Sequence, residues 1–249
     1  MTLYKGFAGM YDDLMAGAHY EKWCAYIKTI LNKQFSNCKK PLIVDLACGT
    51  GNMTLPLSKL GYEMIGIDIS TDMLAIAQQK SYESNCNILF LAQDMRQLDL
   101  YGTVDAVICV CDGMNYILEP DELAGIFERV KLFLNPGGIF IFDMNTEYKF
   151  KEVLGNRGFE ATTQSGASYE WDNNYDDKRK INEYHVLFYT TEKGTEAGHF
   201  KEMHKQRAYC VDEILTMLKK AGFNKVSATH EYTSEPPRPD SERITYQGI

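Results

Sequence analysis

The stretch Leu42-Ile43-Val44-Asp45-Leu46-Ala47 is an apolar run broken by a single carboxylate, and it leads directly into Cys48-Gly49-Thr50-Gly51. An apolar run of this length suits a strand covered on both faces, as in a parallel sheet flanked by helices. A glycine-rich turn at the end of such a strand lets the backbone approach a ligand closely. This one segment directs the chain towards α/β folds whose ligands sit beyond the carboxyl ends of the strands.

The pattern downstream keeps that rhythm. Asn52 to Leu60 reads as a helix with Pro56 near its start and Gly61 as its stop. Glu63 to Ile69 reads as a second strand, and Ser70-Thr71-Asp72 caps a helix that places Met73, Ile76 and Ala77 on one face. Further apolar strands are predicted at Ile88 to Ala92 and Val104 to Cys111. Leu123, Ile126, Phe127, Val130 and Leu134 then recur at helical spacing, and Asn135-Pro136-Gly137-Gly138 ends that helix before a strand at Ile139 to Phe142. Alternating strands and helices predict a doubly wound parallel sheet.

Beyond Tyr148 the pattern changes. Ser168 to Tyr175, Ile181 to Thr190 and His199 to Tyr209 are strand-like and aromatic-rich, separated by Gly166, Asp176-Asp177 and Gly194, which predicts a small antiparallel sheet inserted into the main fold. The helical pattern returns at Val211 to Ala221, with strands at Phe223 to Glu231 and Arg243 to Gln247 completing the main sheet. The expected division is a ligand-binding domain from 1–149 and 206–249 with an N-terminal helical cap, and an inserted lid or substrate module at 150–205. Tyr20 to Leu31 is amphipathic, with Trp23, Ile27, Ile30 and Leu31 on one side, and is expected to pack over the ligand edge of the sheet.

At 249 residues, 45% hydrophobic and 24% charged, the chain is long enough for one large domain with its own core. A net charge of -8, with no basic run, argues against nucleic acid and for a small-molecule partner. The seven cysteines lack C-x-x-C spacing and read as reduced, buried thiols. No leader or membrane-spanning stretch is evident, so a cytoplasmic monomer or homodimer is expected. The five histidines show no metal-site spacing, and no metal is expected.

The chemistry of the turn narrows its ligand. A dinucleotide fingerprint would place a third glycine where this chain has Thr54, and a phosphate-binding loop needs a Gly-Lys pair that is missing. Asp45, four positions before Gly49, suits a cation better than a pyrophosphate. S-adenosylmethionine carries a sulfonium and an ammonium and no phosphate. Asp68, ending the second strand, is placed to accept from two ribose hydroxyls, or alternatively to serve the helix that follows it.

With those residues in view, VDLACGTGN, GIDIS, AQDM and LNPGG, in that order, resemble the motifs of class I S-adenosylmethionine-dependent methyltransferases across roughly residues 42–145. The resemblance implies a Rossmann-like seven-stranded sheet, S-adenosyl-L-methionine as cofactor and S-adenosyl-L-homocysteine as product. It implies that Gly49 and Gly51 bracket the methionine portion, Asp68 holds the ribose, Met73 lines the adenine, and Gln93, Asp94 and Met95 border it. Ala47, Cys48, Ile69 and Cys111 belong to the same expected cofactor set. FAGMYDDLM and HYEKW near the N-terminus resemble bacterial small-molecule enzymes that include amino-sugar N,N-dimethyltransferases and, more distantly, glycine N-methyltransferase. That narrower likeness implies that Tyr11 and Tyr20 close over the cofactor, whereas Trp23 anchors the N-terminal helix.

Methyl transfer needs an aligned nucleophile and exclusion of water more than it needs a metal. Asp112, Asn115 and Tyr116 follow the fourth strand and face the same crevice, with Tyr116 the first choice for orienting an amine or hydroxyl, although an aromatic there equally serves packing. His204 and Arg207 in the inserted module are the further substrate candidates, or else solvated charges on an exposed strand. The expected activity is methylation of nitrogen or oxygen in a small molecule. Methylation of RNA or protein, and a non-catalytic cofactor-binding module, are the alternatives.

Overall fold

The computed structural model describes residues 8–36, 40–162, 168–192 and 195–249. At its centre, β1 (Leu42–Leu46) lies parallel to β2 (Glu63–Asp68) on one side and to β4 (Val104–Cys109) on the other. β3 (Leu89–Ala92) extends the sheet beyond β2, and β5 (Leu134–Asn145) runs parallel to β4. β11 (Arg243–Gly248) and β10 (Val226–His230) follow antiparallel, giving the order β10-β11-β5-β4-β1-β2-β3. The strand order reverses between β1 and β4, and the crevice beyond their carboxyl ends is the place where open α/β sheets bind ligands.

Successive strand residues point to opposite faces, so each apolar run feeds two cores. Val44, Leu46, Val107, Phe140 and Phe142 meet α5 (Pro120–Phe133) and α6 (Val211–Lys220) through Leu123, Phe127, Ile214 and Leu218. Ile43, Ala106, Ile108, Ile139 and Ile141 meet α2 (Tyr20–Gln34) and α3 (Thr54–Lys59) through Ile27, Leu31 and Leu57. Each fully buried side chain of this size contributes roughly 1.5–3 kcal/mol, which makes the parallel strands the rigid part of the molecule. α2 therefore covers a sheet face with Cys24, Ile27 and Leu31, and only its first turn, at Tyr20 and Trp23, reaches the expected ligand edge.

β5 starts earlier than expected. Leu134 pairs with Val104 and Ile139 with Ala106, so Asn135-Pro136-Gly137-Gly138 is a bulge within the strand and does not separate helix from strand. A side chain at Gly138 would lie 2.9 Å from the carbonyl oxygens of Asn135 and Asp105, so only glycine fits that bend.

The inserted unit is a four-stranded antiparallel sheet in the order β6-β7-β8-β9, comprising β6 (Gly158–Thr162), β7 (Ser168–Asp176), β8 (Ile181–Glu192) and β9 (Thr195–Arg207). β6 has no counterpart among the expected strands: it is exposed on both faces and so lacks an alternating pattern. One face of the sheet carries Tyr184, Val186 and Phe188 and packs against Met10 and Leu14 of α1 (Ala8–Leu14). Among the described residues, no helix is long and apolar enough to cross a membrane.

Candidate active site

The turn after β1 is shaped by backbone conformation. Gly49 has φ +54° and Gly51 φ +81°, and a side chain on Gly51 would sit 2.5 Å from Leu55 and 3.3 Å from Ala77. Gly51 thus serves the close packing of turn against helix, while Gly49 faces the cleft with the ring of Tyr11 3.9 Å from where its side chain would begin. The cleft beside them gathers seven of the expected cofactor residues, Tyr11, Tyr20, Asp45, Ala47, Cys48, Gly49 and Cys111, and adds Asn52, Met53 and Val110, which sequence reasoning did not single out. Asn52 had a signal, standing immediately after the second glycine.

Asp45 lies at the floor of this cleft, 2% exposed, and accepts a hydrogen bond from the Thr54 hydroxyl at 2.5 Å. Burial pushes its carboxyl up to about 7, and the nearby Asp68 adds to the effect. Asp68, at the end of β2, accepts from Gly49 N and Ser70 N, both at 2.8 Å, so it ties the turn to the second strand. Ser70 then caps α4 (Thr71–Glu83) by accepting from Met73 N at 3.2 Å, and the Met73 side chain is buried. Ile69 is 58% exposed, an apolar side chain left open beside Asp68. Burial, the neighbouring Cys111 and a hydrogen bond with Tyr20 hold the Tyr11 phenol well above its ordinary range, keeping it a neutral donor.

The segment after β3 is less open. Gln93 closes its own loop, donating to the Asp99 carbonyl at 3.0 Å and accepting from Asp99 N at 3.2 Å. Asp94 accepts from the Arg96 backbone at 2.9 Å and from its guanidinium at 2.5 Å, bonds that hold its carboxyl below the usual range; an adenine amino group would share it with Arg96. Met95 begins a short helical turn there, half-buried against the core.

Beyond β4 the backbone is strained and braced. Cys111 and Asp112 both adopt left-handed conformations, at φ +70° and +55°, as does Ala47 at +60° across the cleft. Asp143 on β5 holds the first two by accepting from Cys111 N at 2.7 Å and Asp112 N at 2.9 Å. The same carboxylate accepts from Tyr232 and Arg243, and Arg243 donates a further bond to Asp112 at 2.8 Å. Burial opposes the charge on Asp112, but Arg243 and Lys149 outweigh it and keep the carboxyl below its ordinary range. Gln206 on β9 donates to Asp112 at 2.6 Å, tying the inserted sheet to the network, and Trp23 stacks on Tyr232 with the Arg243 guanidinium over its ring. Sequence reasoning missed Asp143, Gln206, Tyr232 and Arg243.

Tyr116 sits where β4 gives way to the second sheet. Its hydroxyl lies 2.7 Å from that of Tyr184 and 3.2 Å from His204 Nδ1, and Tyr184 stacks between the rings of His204 and Trp171. Burial pushes His204 down to about 4, so the imidazole is neutral.

Two of the expected substrate residues make bonds within the protein. Asn115 is fully buried and spends its amide on Asn145 O, Arg207 O and Asn145 N, so it braces β5 against β9. Arg207 does not join His204: three residues apart on one strand they point to opposite faces, and the Arg207 guanidinium binds the Leu118 carbonyl at 3.1 Å and covers Tyr209.

A doubly wound sheet whose switch-point cleft holds a buried carboxylate, beside a glycine turn bonded to a strand-end acid, fits S-adenosylmethionine, which is cationic and carries no phosphate. Residues 43–138 match the family described as a methyltransferase domain. The chain is 36% identical to YqeM of Bacillus subtilis (strain 168), named as a methyltransferase, over 98% of this chain and 96% of that one. Among solved structures it is similar to an S-adenosylmethionine-dependent methyltransferase from Clostridium acetobutylicum ATCC 824, with a TM-score of 0.87, 31% identity and coverage of 98% and 97% of the two chains. The sugar N-methyltransferase KedS8 from Streptoalloteichus sp ATCC 53650 shares the fold at a TM-score of 0.78 and 17% identity, over 94% of this chain and 89% of that one. The chain belongs to the class I S-adenosylmethionine-dependent methyltransferases. It is an enzyme of methyl transfer, with S-adenosylmethionine as its cofactor.

Proposed function

We propose that the acceptor is a small molecule methylated at nitrogen or oxygen, and that the inserted unit, 150–205, is the acceptor module. The observation that carries this reading is Tyr116, whose hydroxyl joins the carboxyl end of β4 to Tyr184 and His204 on the inner face of the second sheet. The bound cofactor supplies an electrophilic methyl on a sulfonium, so the chain's own task is to hold a neutral nucleophile in line with it and keep water out. Neutral His204 can accept the Tyr116 proton, which turns the phenol oxygen's lone pairs towards an acceptor N–H or O–H. The stacked rings of Trp171, Tyr184 and His204 form an aromatic row behind Tyr116, a surface suited to a compact, partly apolar molecule such as a sugar. KedS8, a sugar N-methyltransferase of the same fold, supports an amine-bearing acceptor of this kind. The net charge of -8 weighs against RNA.

The test is a labelled-methyl screen of the purified chain against amines, amino sugars, phenols, RNA and protein, run beside Tyr116→Phe. The expected result is transfer to a small molecule, with kcat lowered in Tyr116→Phe while cofactor affinity holds. Transfer to RNA or protein alone would refute the reading, as would cofactor binding with no transfer to any acceptor.

A further inference from the structure

One polar cluster lies on the outer side of the glycine turn and touches the cleft through Asn52. Asp12 Oδ1 accepts from the Thr50 hydroxyl at 2.6 Å and from the Asn52 amide at 2.9 Å, and its Oδ2 pairs with Lys80 Nζ at 2.5 Å. Lys80, in the last turn of α4, also donates to the Thr50 carbonyl at 3.1 Å and to Asn52 Oδ1 at 2.9 Å, which occupies all three of its protons. Thr50 and Asn52 flank Gly51, so a carboxylate on α1 and an ammonium on α4 grip the cofactor turn from two sides.

α1 is poorly equipped to hold its own position. It is seven residues long, far below the length at which an isolated helix persists, and Ala8 is its one buried residue. Its attachments lie on two flanks. Asp12 binds the glycine turn, with the adjacent Tyr11 over the cofactor cleft, while Met10 and Leu14 pack on Tyr184, Val186 and Phe188 of β8. The helix thereby bridges the cofactor half and the acceptor half of the molecule.

We propose that Asp12 is a positioning residue: it fastens α1 to the glycine-rich turn, so that Tyr11 stays over the cofactor cleft and release of the nucleoside requires the Asp12–Lys80 cluster to open. The proposal rests on the cofactor cleft alone and is independent of the acceptor. The cluster is partly open to solvent, with Asp12 and Lys80 side chains 38% and 27% exposed, so salt weakens it.

The test measures dissociation of S-adenosylhomocysteine from the full chain by surface plasmon resonance. Asp12→Ala removes the Thr50 and Asn52 bonds that fasten α1 to the turn, and the dissociation rate is expected to rise roughly tenfold or more, because bonds to a charged group are lost, with little change in association rate. Asp12→Asn keeps the shape and loses the ion pair, and falls between the two. Adding Lys80→Ala to Asp12→Ala is expected to give much less than a second full increment, since both act on one cluster. Rising ionic strength should speed release from the wild type and leave Asp12→Ala nearly flat, a response that simple loss of helix packing would not produce. Where Asp12→Ala lowers the thermal midpoint of the whole chain, Asp12→Asn carries the comparison. Release from both variants at the wild-type rate, or an unchanged salt response in Asp12→Ala, overturns the proposal.

Discussion

Replacing Asp45 with Asn should make the cofactor-free protein more stable and a worse cofactor binder. The carboxyl has an ordinary value of 3.8 and is raised to about 7 by burial beneath Thr54. A native value above the unfolded one means that the folded state holds the proton more tightly. The associated stability is complete below the unfolded value and is lost as pH rises through about 7. About three units at roughly 1.4 kcal/mol each give an upper limit of ~4 kcal/mol for the cost of the ionised, buried carboxylate at alkaline pH. Asn has the shape of the protonated acid and can still accept from Thr54, so the variant escapes most of this cost. The thermal midpoint of the free chain should rise by several degrees at about pH 8, by roughly half as much at about pH 5.5 and hardly at all below about pH 4, since each kcal/mol shifts a chain of this size by roughly 2–4 °C. With cofactor present the order reverses: a sulfonium and an ammonium stabilise the ionised Asp45, so wild-type affinity should fall as pH drops through about 7, and this dependence should vanish in the variant. Scanning fluorimetry and calorimetry at these pH values read both effects. An Asp45→Asn protein that is less stable at about pH 8, or that keeps the wild-type pH dependence of cofactor binding, would refute the reasoning.

Asp68→Ala should weaken cofactor binding by roughly two orders of magnitude, because charge-assisted bonds to ribose are lost. It should also lower the thermal midpoint, since Gly49 N and Ser70 N lose their acceptor; calorimetry and fluorimetry on one preparation test both. Arg243→Met takes from the buried Asp143 its ion-pair partner and leaves Asp112 to Lys149 and Gln206, and urea unfolding should show a loss of about 3–5 kcal/mol.

The first strand, its turn, the Ser70 cap and the order of helices and strands were legible because each is written in a short stretch of chain. Asp45, Gly49 and Asp68 stand within that span; the structure brings the first two to one crevice and bonds Asp68 to Gly49. The Arg243 network was not legible, because its bonds join residues 131 and 100 positions apart and no local pattern marks them. Asn115 has a residue type that suits substrates, but its direction is set by β5 and β9, which only the fold reveals. The separation of His204 from Arg207 was available in principle, since an odd spacing on a strand reverses the face. Asp12 reads in sequence as one more charge on a helix, and its role depends on the turn lying 38 residues away.

The second sheet meets the cofactor end through the last residues of β9, where Gln206 binds Asp112 and the Arg207 carbonyl binds Asn115. Trp171, Val186 and Glu202 lie farther out, on strands that share no backbone pairing with the main sheet. Val186 still reaches α1 through Met10 and Leu14, so the second sheet is fastened to the cofactor side both at the end of β9 and along α1. A sheet fastened at these places can exchange its exposed side chains without moving the crevice.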